Sequence, residues 1–213
     1  MDNKKNAYPY ILWMFIFIIV PLVLILYFAF TTGDSLSFSE FTFSLDNFKR
    51  FFTPTYLKVL GRSVNLALIS TILCLIIGYP LAYIISKEEA KRRNILVLSL
   101  VIPMWMNFLL RTYAWLTLLG RNGLINSFLT KLGLANINFM YNNKAVLLGM
   151  VYNFLPFMVL PIYSIMVKIE GNLVEAAEDL GADRITVFKK VIFPLSLPGV
   201  ITGITMVFIP AVS

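Results

Sequence analysis

Long apolar runs, separated by short charged segments, set the rhythm of this chain. The first is Tyr10–Phe30, YILWMFIFIIVPLVLILYFAF, after a short polar start with Lys4 and Lys5. About 20 apolar residues suffice for a helix to cross a bilayer. A cleaved signal peptide would have a shorter apolar region followed by a small-residue cleavage site, and no such site follows here. The run predicts a retained transmembrane helix, kinked or eased at Pro21. Thr31–Gly61 is mixed, with Asp34, Glu40 and Asp46 set against Lys49, Arg50 and Lys58. Its aromatics, Phe38, Phe41, Phe43, Phe48, Phe51, Phe52 and Tyr56, predict a compact loop or short interfacial helices.

Further spans are predicted at about Ser63–Ser86, Asn94–Leu119 and Lys144–Val167. A fifth apolar stretch begins after Pro198 and runs to Ser213. Pro21, Pro80, Pro103, Pro156 and Pro161 fall in or at the ends of these spans. Each leaves a backbone carbonyl unpaired, which a membrane tolerates only where neighbouring helices or a water-filled cavity satisfy it. Several broken helices around a pathway are therefore expected.

Composition strengthens the membrane reading. Of 213 residues, 59% are hydrophobic and 14% charged, against about 45–50% and about 25% for a soluble domain; mean hydropathy is +0.81. The net charge of +7 is assigned to basic residues flanking the spans, not to nucleic-acid binding. The single cysteine, Cys74, lies in an apolar run and reads as packing. With no histidine, zinc sites of the usual type, Ser-His and Cys-His dyads and histidine proton relays are excluded within the chain, and no metal site is expected. The short loop KEEAKRR at Lys87–Arg93 is the most informative topological signal, because short loops follow the positive-inside rule best. It predicts a cytoplasmic N-terminus and a cytoplasmic Glu175 region.

That region, EAAEDLGADRITVFKKVIFP at Glu175–Pro194, is too polar for lipid and too ordered for a linker. Leu173, Ala176, Ala177 and Leu180 form an apolar stripe at helical spacing. Asn172 is the expected N-cap, paired with Glu175 as in a capping box, and Gly181 suits a left-handed helix end. A second helical phase runs from Ile185 through Phe188 to Val191 and Ile192, closed by Pro194. Ala176 and Ala177 leave the first helix smooth enough for close approach, either by a partner or by the chain's own bundle.

The pattern formed by Glu175, Ala176, Ala177, Gly181, Val191, Phe193 and Pro194 resembles the EAA loop of bacterial ABC importer permeases. Val191 and Phe193 stand where the family usually has Ile and Leu. The resemblance implies an all-α polytopic transmembrane bundle of the type I ABC importer permease fold. About five spans are visible where the family generally has six, and the chain stops inside the fifth, as a truncated sequence would. It also implies a first segment 1–61, holding a span and an extracytoplasmic loop. The permease core is then 62–213, with a cytoplasmic coupling loop at about 170–197. Glu175, Ala176, Ala177, Leu180, Gly181, Arg184, Phe188 and Pro194 would carry coupling to a separate ATPase subunit. In that role Leu180 and Phe188 anchor the two short helices to the spans, and Arg184 is available for polar contact. The chain has no G-x-x-x-x-G-K-[ST] phosphate loop, so ATP and Mg would be bound by the partner ATPase dimer and the chain itself would carry no cofactor and no catalytic residue.

Within the family, Arg62–Ser86, Phe108–Leu129 (FLLRTYAWLTLLGRNGLINSFL) and Leu147–Ser164 are similar to the spermidine/putrescine importer permeases. That implies an extracytoplasmic polyamine-binding protein and a second homologous permease as further partners in a bacterial inner membrane. Trp105, Asn107, Tyr113, Trp115, Tyr152, Asn153 and Phe154 are the candidate pathway residues, since aromatic faces attract organic cations. Asn107 and Asn153 enter as polar contacts, and any one of the aromatics taken alone reads better as an interface belt or helix packing than as a pathway residue. No acidic residue lies between Glu89 and Glu170, which argues against a tight polyamine site in this subunit. Arg111 is an expensive charge within a span and is expected to face carbonyl groups or a partner subunit. The alternatives are a related permease for thiamine, ferric iron or sulfate, and a secondary transporter. The second would need membrane carboxylates or histidines that are not seen.

Overall fold

A computed structural model of the chain describes residues 8–31, 43–134, 140 and 142–212. Lys4, Lys5, Asp34, Phe38, Glu40 and Phe41 lie outside the described residues. Every regular element among those described is a helix: α1 (Tyr8–Ala29), α2 (Asp46–Phe51), α3 (Pro54–Lys87), α4 (Ala90–Trp105), α5 (Phe108–Leu119), α6 (Leu124–Lys131), α7 (Asn143–Met166), α8 (Gly171–Asp179) and α9 (Arg184–Val212). Among them α1, α3, α7 and α9 are each long and apolar enough to cross a membrane, and α4 with the segment after it makes a fifth crossing if the bent pair is one span. The chain divides into two compact units, Met1–Gly61 and Arg62–Ser213, with the boundary falling inside α3.

In the first unit, the C-terminal carbonyls of α1 are capped from a distance. Asn47 Nδ2 donates to Phe28 O at 3.0 Å and to Thr31 O at 3.2 Å. Phe30 stacks on Phe43, with centroids 5.5 Å apart, and lies 5.3 Å from Phe48. Carbonyls left over at a helix end must find donors somewhere, and here a turn of helix α2 supplies one.

α3 begins well before the predicted Ser63. Pro54 opens it, as suits a residue whose missing N–H costs nothing in a first turn. At about 1.5 Å per residue its 34 residues extend about 51 Å, beyond a hydrocarbon core of about 30 Å. The predicted single span Asn94–Leu119 is instead two helices. Ala90–Trp105 and the Phe108–Lys131 segment meet at 95°. Met106 and Asn107 are extended, and Asn107 Oδ1 accepts from Leu109 N–H at 2.8 Å. An Asn side chain that caps a new helix competes directly with continuation of the old one.

The prolines do not break their helices, contrary to expectation: Pro103 lies inside α4, before the break, and Pro21 inside α1. Pro80, Pro156, Pro161, Pro198 and Pro210 all sit inside continuous helices. Pro194, expected to close the second short helix of the charged region, also lies inside α9. Both α1 and α9 contain a five-residue π segment, Phe15–Ile19 and Phe188–Ile192. In each, the next proline follows two residues after the segment. A wider i→i+5 turn, with Phe193 N–H bonded to Phe188 O, absorbs the place where proline offers no N–H and its ring crowds the preceding turn. The second helix of the charged region and the fifth span are therefore one helix.

The core of the second unit lies between α3, α7 and α9. Cys74, Ala82, Met158, Val159, Ile162, Val200 and Val207 are buried in it. Gly199 and Gly203 let α9 meet α7 at backbone distance. A Cβ at Gly199 would lie 2.9 Å from Ile162 Cα and Pro161 O, and one at Gly203 would lie 2.8 Å from Met158 Sδ and 3.1 Å from Met158 O. This Gly-x-x-x-Gly spacing is a general device for close helix contact in lipid, where hydrophobic burial drives no association. Ser196 Oγ, fully buried one turn earlier, shares a 2.9 Å hydrogen bond with Tyr79 OH of α3. Gly199→Val is expected to force the helices apart and destabilise the purified protein by about 1–3 kcal/mol, the usual range for overpacking. Thermal melting in detergent checks this, and Gly149→Ala, where a Cβ meets nothing within 4 Å, should not lower the midpoint.

Candidate functional site

Two clusters in the second unit collect the residues singled out above. The first is the charged region. α7 ends at Met166, a short turn follows, and α8 starts at Gly171. The expected N-cap, Asn172, is already inside the helix. Glu170 holds the cap position with extended backbone and no side-chain capping bond, because the helix starts two residues earlier than the Asn-x-x-Glu pattern suggested. The other end matches its chemistry. Gly181 takes φ +82°, with Gly181 N–H bonded to Glu178 O at 2.9 Å and Ala182 N–H to Ala177 O at 3.1 Å. This is a Schellman closure, which a residue with a Cβ would strain. Asp183 then caps α9, its carboxylate accepting from Thr186 N–H at 3.3 Å. That hydrogen bond holds the Asp183 carboxyl below its ordinary value.

The faces of α8 divide clearly. Val174 and Ala177 are half-buried against the chain, whereas Leu173, Ala176 and Leu180 are exposed. Leu180 is 89% exposed, so the expectation that it anchors α8 to the spans is corrected. It follows the Leu173 side of the helix, which presents an apolar edge outward, and Ile185 in the first turn of α9 is also exposed, at 63%. Glu175 and Glu178 line a cavity of about 350 Å³ together with Tyr83, Lys87, Met166 and Ile192. Arg184 is exposed in the first turn of α9.

Phe188 holds the opposite position. Its ring meets Tyr79 and Tyr83 of α3 edge-on, at 5.9 and 5.7 Å between centroids, and Phe193 lies 5.9 Å from Tyr79. Such aromatic pairs contribute about 0.5–1.5 kcal/mol each beyond their buried area. Tyr79 and Tyr83, one helical turn apart, were not singled out from sequence, nor were Ser196, Gly199 and Gly203. The signal for the last three was legible as small residues at three- and four-residue spacing within an apolar run.

The second cluster surrounds the break between α4 and α5. Arg111 Nη1 donates to Pro103 O at 3.3 Å. Its guanidinium lies 5.8 Å from the Phe108 centroid and 5.7 Å from that of Tyr152. Pro103 sits four residues before Asn107, whose backbone has left the helix, so its carbonyl belongs to the unpaired C-terminal turn of α4. Trp115 packs edge-on against Tyr152 at 5.3 Å. Trp115 and Asn153 also line an apolar cavity of about 300 Å³ between α5 and α7. Asn153 Oδ1 is buried with no hydrogen-bond partner among the described residues.

The remaining pathway candidates lie elsewhere. Trp105 and Tyr113 are 80% and 63% exposed, Asn107 serves as the cap of α5, and Phe154 packs against the α3–α7–α9 core. Among the described residues no group of three or more potential metal ligands occurs.

No protein-family model matches the chain. It is 41% identical over 201 residues to the spermidine/putrescine transport system permease protein PotB of Escherichia coli, covering 93% of this chain and 73% of that protein. It is 31% identical over 217 residues to a PotB homolog of Mycoplasma genitalium, covering all of this chain and 73% of that protein. The E. coli inner membrane ABC transporter permease protein YdcU is 27% identical over 215 residues, covering 93% and 68%. Among solved structures, a bacterial alginate ABC transporter in complex with a periplasmic protein superposes with TM-score 0.72 at 19% identity, covering 92% of this chain and 67% of that one. That likeness carries the fold alone. The chain belongs to the family of spermidine/putrescine transport system permeases, as a multi-pass inner-membrane permease subunit of an ABC transporter.

Proposed function

We propose that this subunit lines the translocation pathway of an ATP-driven importer whose cargo is a polyamine. An extracytoplasmic binding protein delivers the cargo, a second homologous permease completes the pathway, and a separate ATPase dimer binds ATP and Mg. The chain itself carries no ATPase site. The N-terminus and the loop at 170–197 face the cytoplasm, where the ATPase docks against Leu173, Ala176, Leu180 and Ile185, with Glu175, Gly181 and Arg184 at the margins.

One observation carries the coupling role. The exposed edge of α8 is joined by a Schellman turn to a helix that continues into the fifth span without interruption. A push on α8 thus reaches the core through Phe188 against Tyr79 and Tyr83, and through the glycine contacts of α9 on α7. The cargo reading is supported by the designation of the PotB relatives and by the aromatic surroundings of Arg111. The absence of carboxylates between Glu89 and Glu170 fits a pathway of low affinity, with recognition left to the binding protein.

Proteoliposomes holding the complete transporter and its binding protein should take up radiolabelled spermidine only with ATP, and excess putrescine should compete while thiamine and ferric iron should not. Competition by thiamine or iron instead would replace the cargo. Gly181→Asp should abolish ATP-driven uptake while the subunit still assembles in the membrane, since it strains the φ +82° turn and places a charge at the docking edge; unchanged uptake would remove the coupling role from this loop. Phe188→Ala should leave ATPase docking intact and reduce uptake per ATP hydrolysed at least several-fold, and equal coupling ratios in variant and wild type would count against force transmission through this ring.

A further inference from the structure

Arg111 is the only charged residue between Asn94 and Gly120, and it has no carboxylate to pair with in that part of the chain. A neutral donor could bond Pro103 O equally well, without the cost of a charge inside a span. The surroundings of Arg111 explain why a cation is there. The C-terminal end of α4 presents carbonyl oxygens at the negative pole of its dipole. Two ring faces, Phe108 and Tyr152, lie at 5.8 and 5.7 Å from the guanidinium, and Trp115 fixes the Tyr152 ring from its edge. Carbonyl dipoles with aromatic faces and no carboxylate form a site for a soft organic cation. The protein's own side chain fills that site.

The hold on that side chain is weak. Among the described residues, one hydrogen bond, at 3.3 Å, and two ring contacts retain a group with five N–H donors. A bidentate carboxylate would have locked it. Next to the site, sharing Phe108 with it, lies the apolar cavity of about 300 Å³, lined also by Thr112, Trp115, Leu148 and Asn153. A methylene chain attached to a cationic head fits there.

We propose that the C-terminal end of α4 with Phe108 and Tyr152 is a binding site for one alkylammonium or guanidinium group. Arg111 is its resident occupant, and a passing organic cation displaces it. The exchange keeps the charge of the site constant, so the arriving cation meets no added repulsion once Arg111 has swung out. An empty pathway, in turn, is closed to cations by Arg111 itself. That the displacing cation is a polyamine rests on the preceding reading; the existence of the site does not.

The test uses the purified complete transporter with Arg111→Met, which keeps much of the stem and removes the charge. Millimolar methylguanidinium or putrescine should raise the Tm of this variant by about 2–4 °C and shift tryptophan fluorescence, while wild type should give the fluorescence shift only at higher concentration, because the cation must first displace Arg111. Adding Tyr152→Leu to Arg111→Met should abolish both responses. Equal responses in wild type and variant, or none in either, overturn the proposal, as does a response that survives Tyr152→Leu. Should Arg111→Met fail to assemble, recovery of the complex when methylguanidinium is present during solubilisation supports the site, and no recovery overturns it. If both cations act on the variant but the intact system imports no polyamine, the cation site stands and the cargo reading falls.

Discussion

At Gly199 and Gly203 the backbone of α9 lies so close to α7 that no side chain fits between them. Lipid offers no hydrophobic drive for two apolar helices to associate, so van der Waals contact and hydrogen bonds must supply it. The glycine seam provides the first and the Ser196–Tyr79 pair the second. Together they fix both the rotation and the height of α9. Once those are fixed, Phe188 has one place to go, against Tyr79 and Tyr83, and the apolar edge of α8 is left facing out.

Continuity of α9 gives that arrangement its mechanical meaning. A proline between a short surface helix and a membrane span would ordinarily suggest a joint. Here the π segment at Phe188–Ile192 takes up the irregularity, and the helix passes through Pro194 and Pro198 into the core. The sharp discontinuity in the second unit is placed elsewhere, at Met106 and Asn107. One of its unpaired α4 carbonyls, Pro103 O, is served by Arg111. The continuous and the broken parts of the bundle are thus different helices.

Much of this was legible in the sequence, for identifiable reasons. The apolar runs of α1, α7 and the later part of α3 exceed the length lipid requires, so their existence was clear, and Gly181 announced a left-handed turn that the backbone adopts. The start of α3 was hidden because Tyr56, Lys58 and Arg62 break the apolar pattern without opposing a helix. The break at Asn107 was hidden by the apolar residues on both sides, which concealed a capping side chain. Pro194 was read as a terminator because periodicity carries no information about a π turn. Leu180 was assigned to the wrong face because an apolar stripe indicates that something covers it, without saying whether that partner belongs to the same chain.

The stiffness of α9 is the most direct point of test. Ile185 and Ile209 are both 63% exposed and stand about 36 Å apart at 1.5 Å per residue. Spin labels at these two positions, with the buried Cys74 replaced by Ser, report that distance by pulsed electron resonance in the assembled transporter. A single helix acting as one lever predicts one narrow distance that stays the same with and without bound ATP. A distance that changes by several ångströms on ATP binding, or splits into two populations, would show a hinge at Phe188–Pro194 and contradict transmission through a continuous α9.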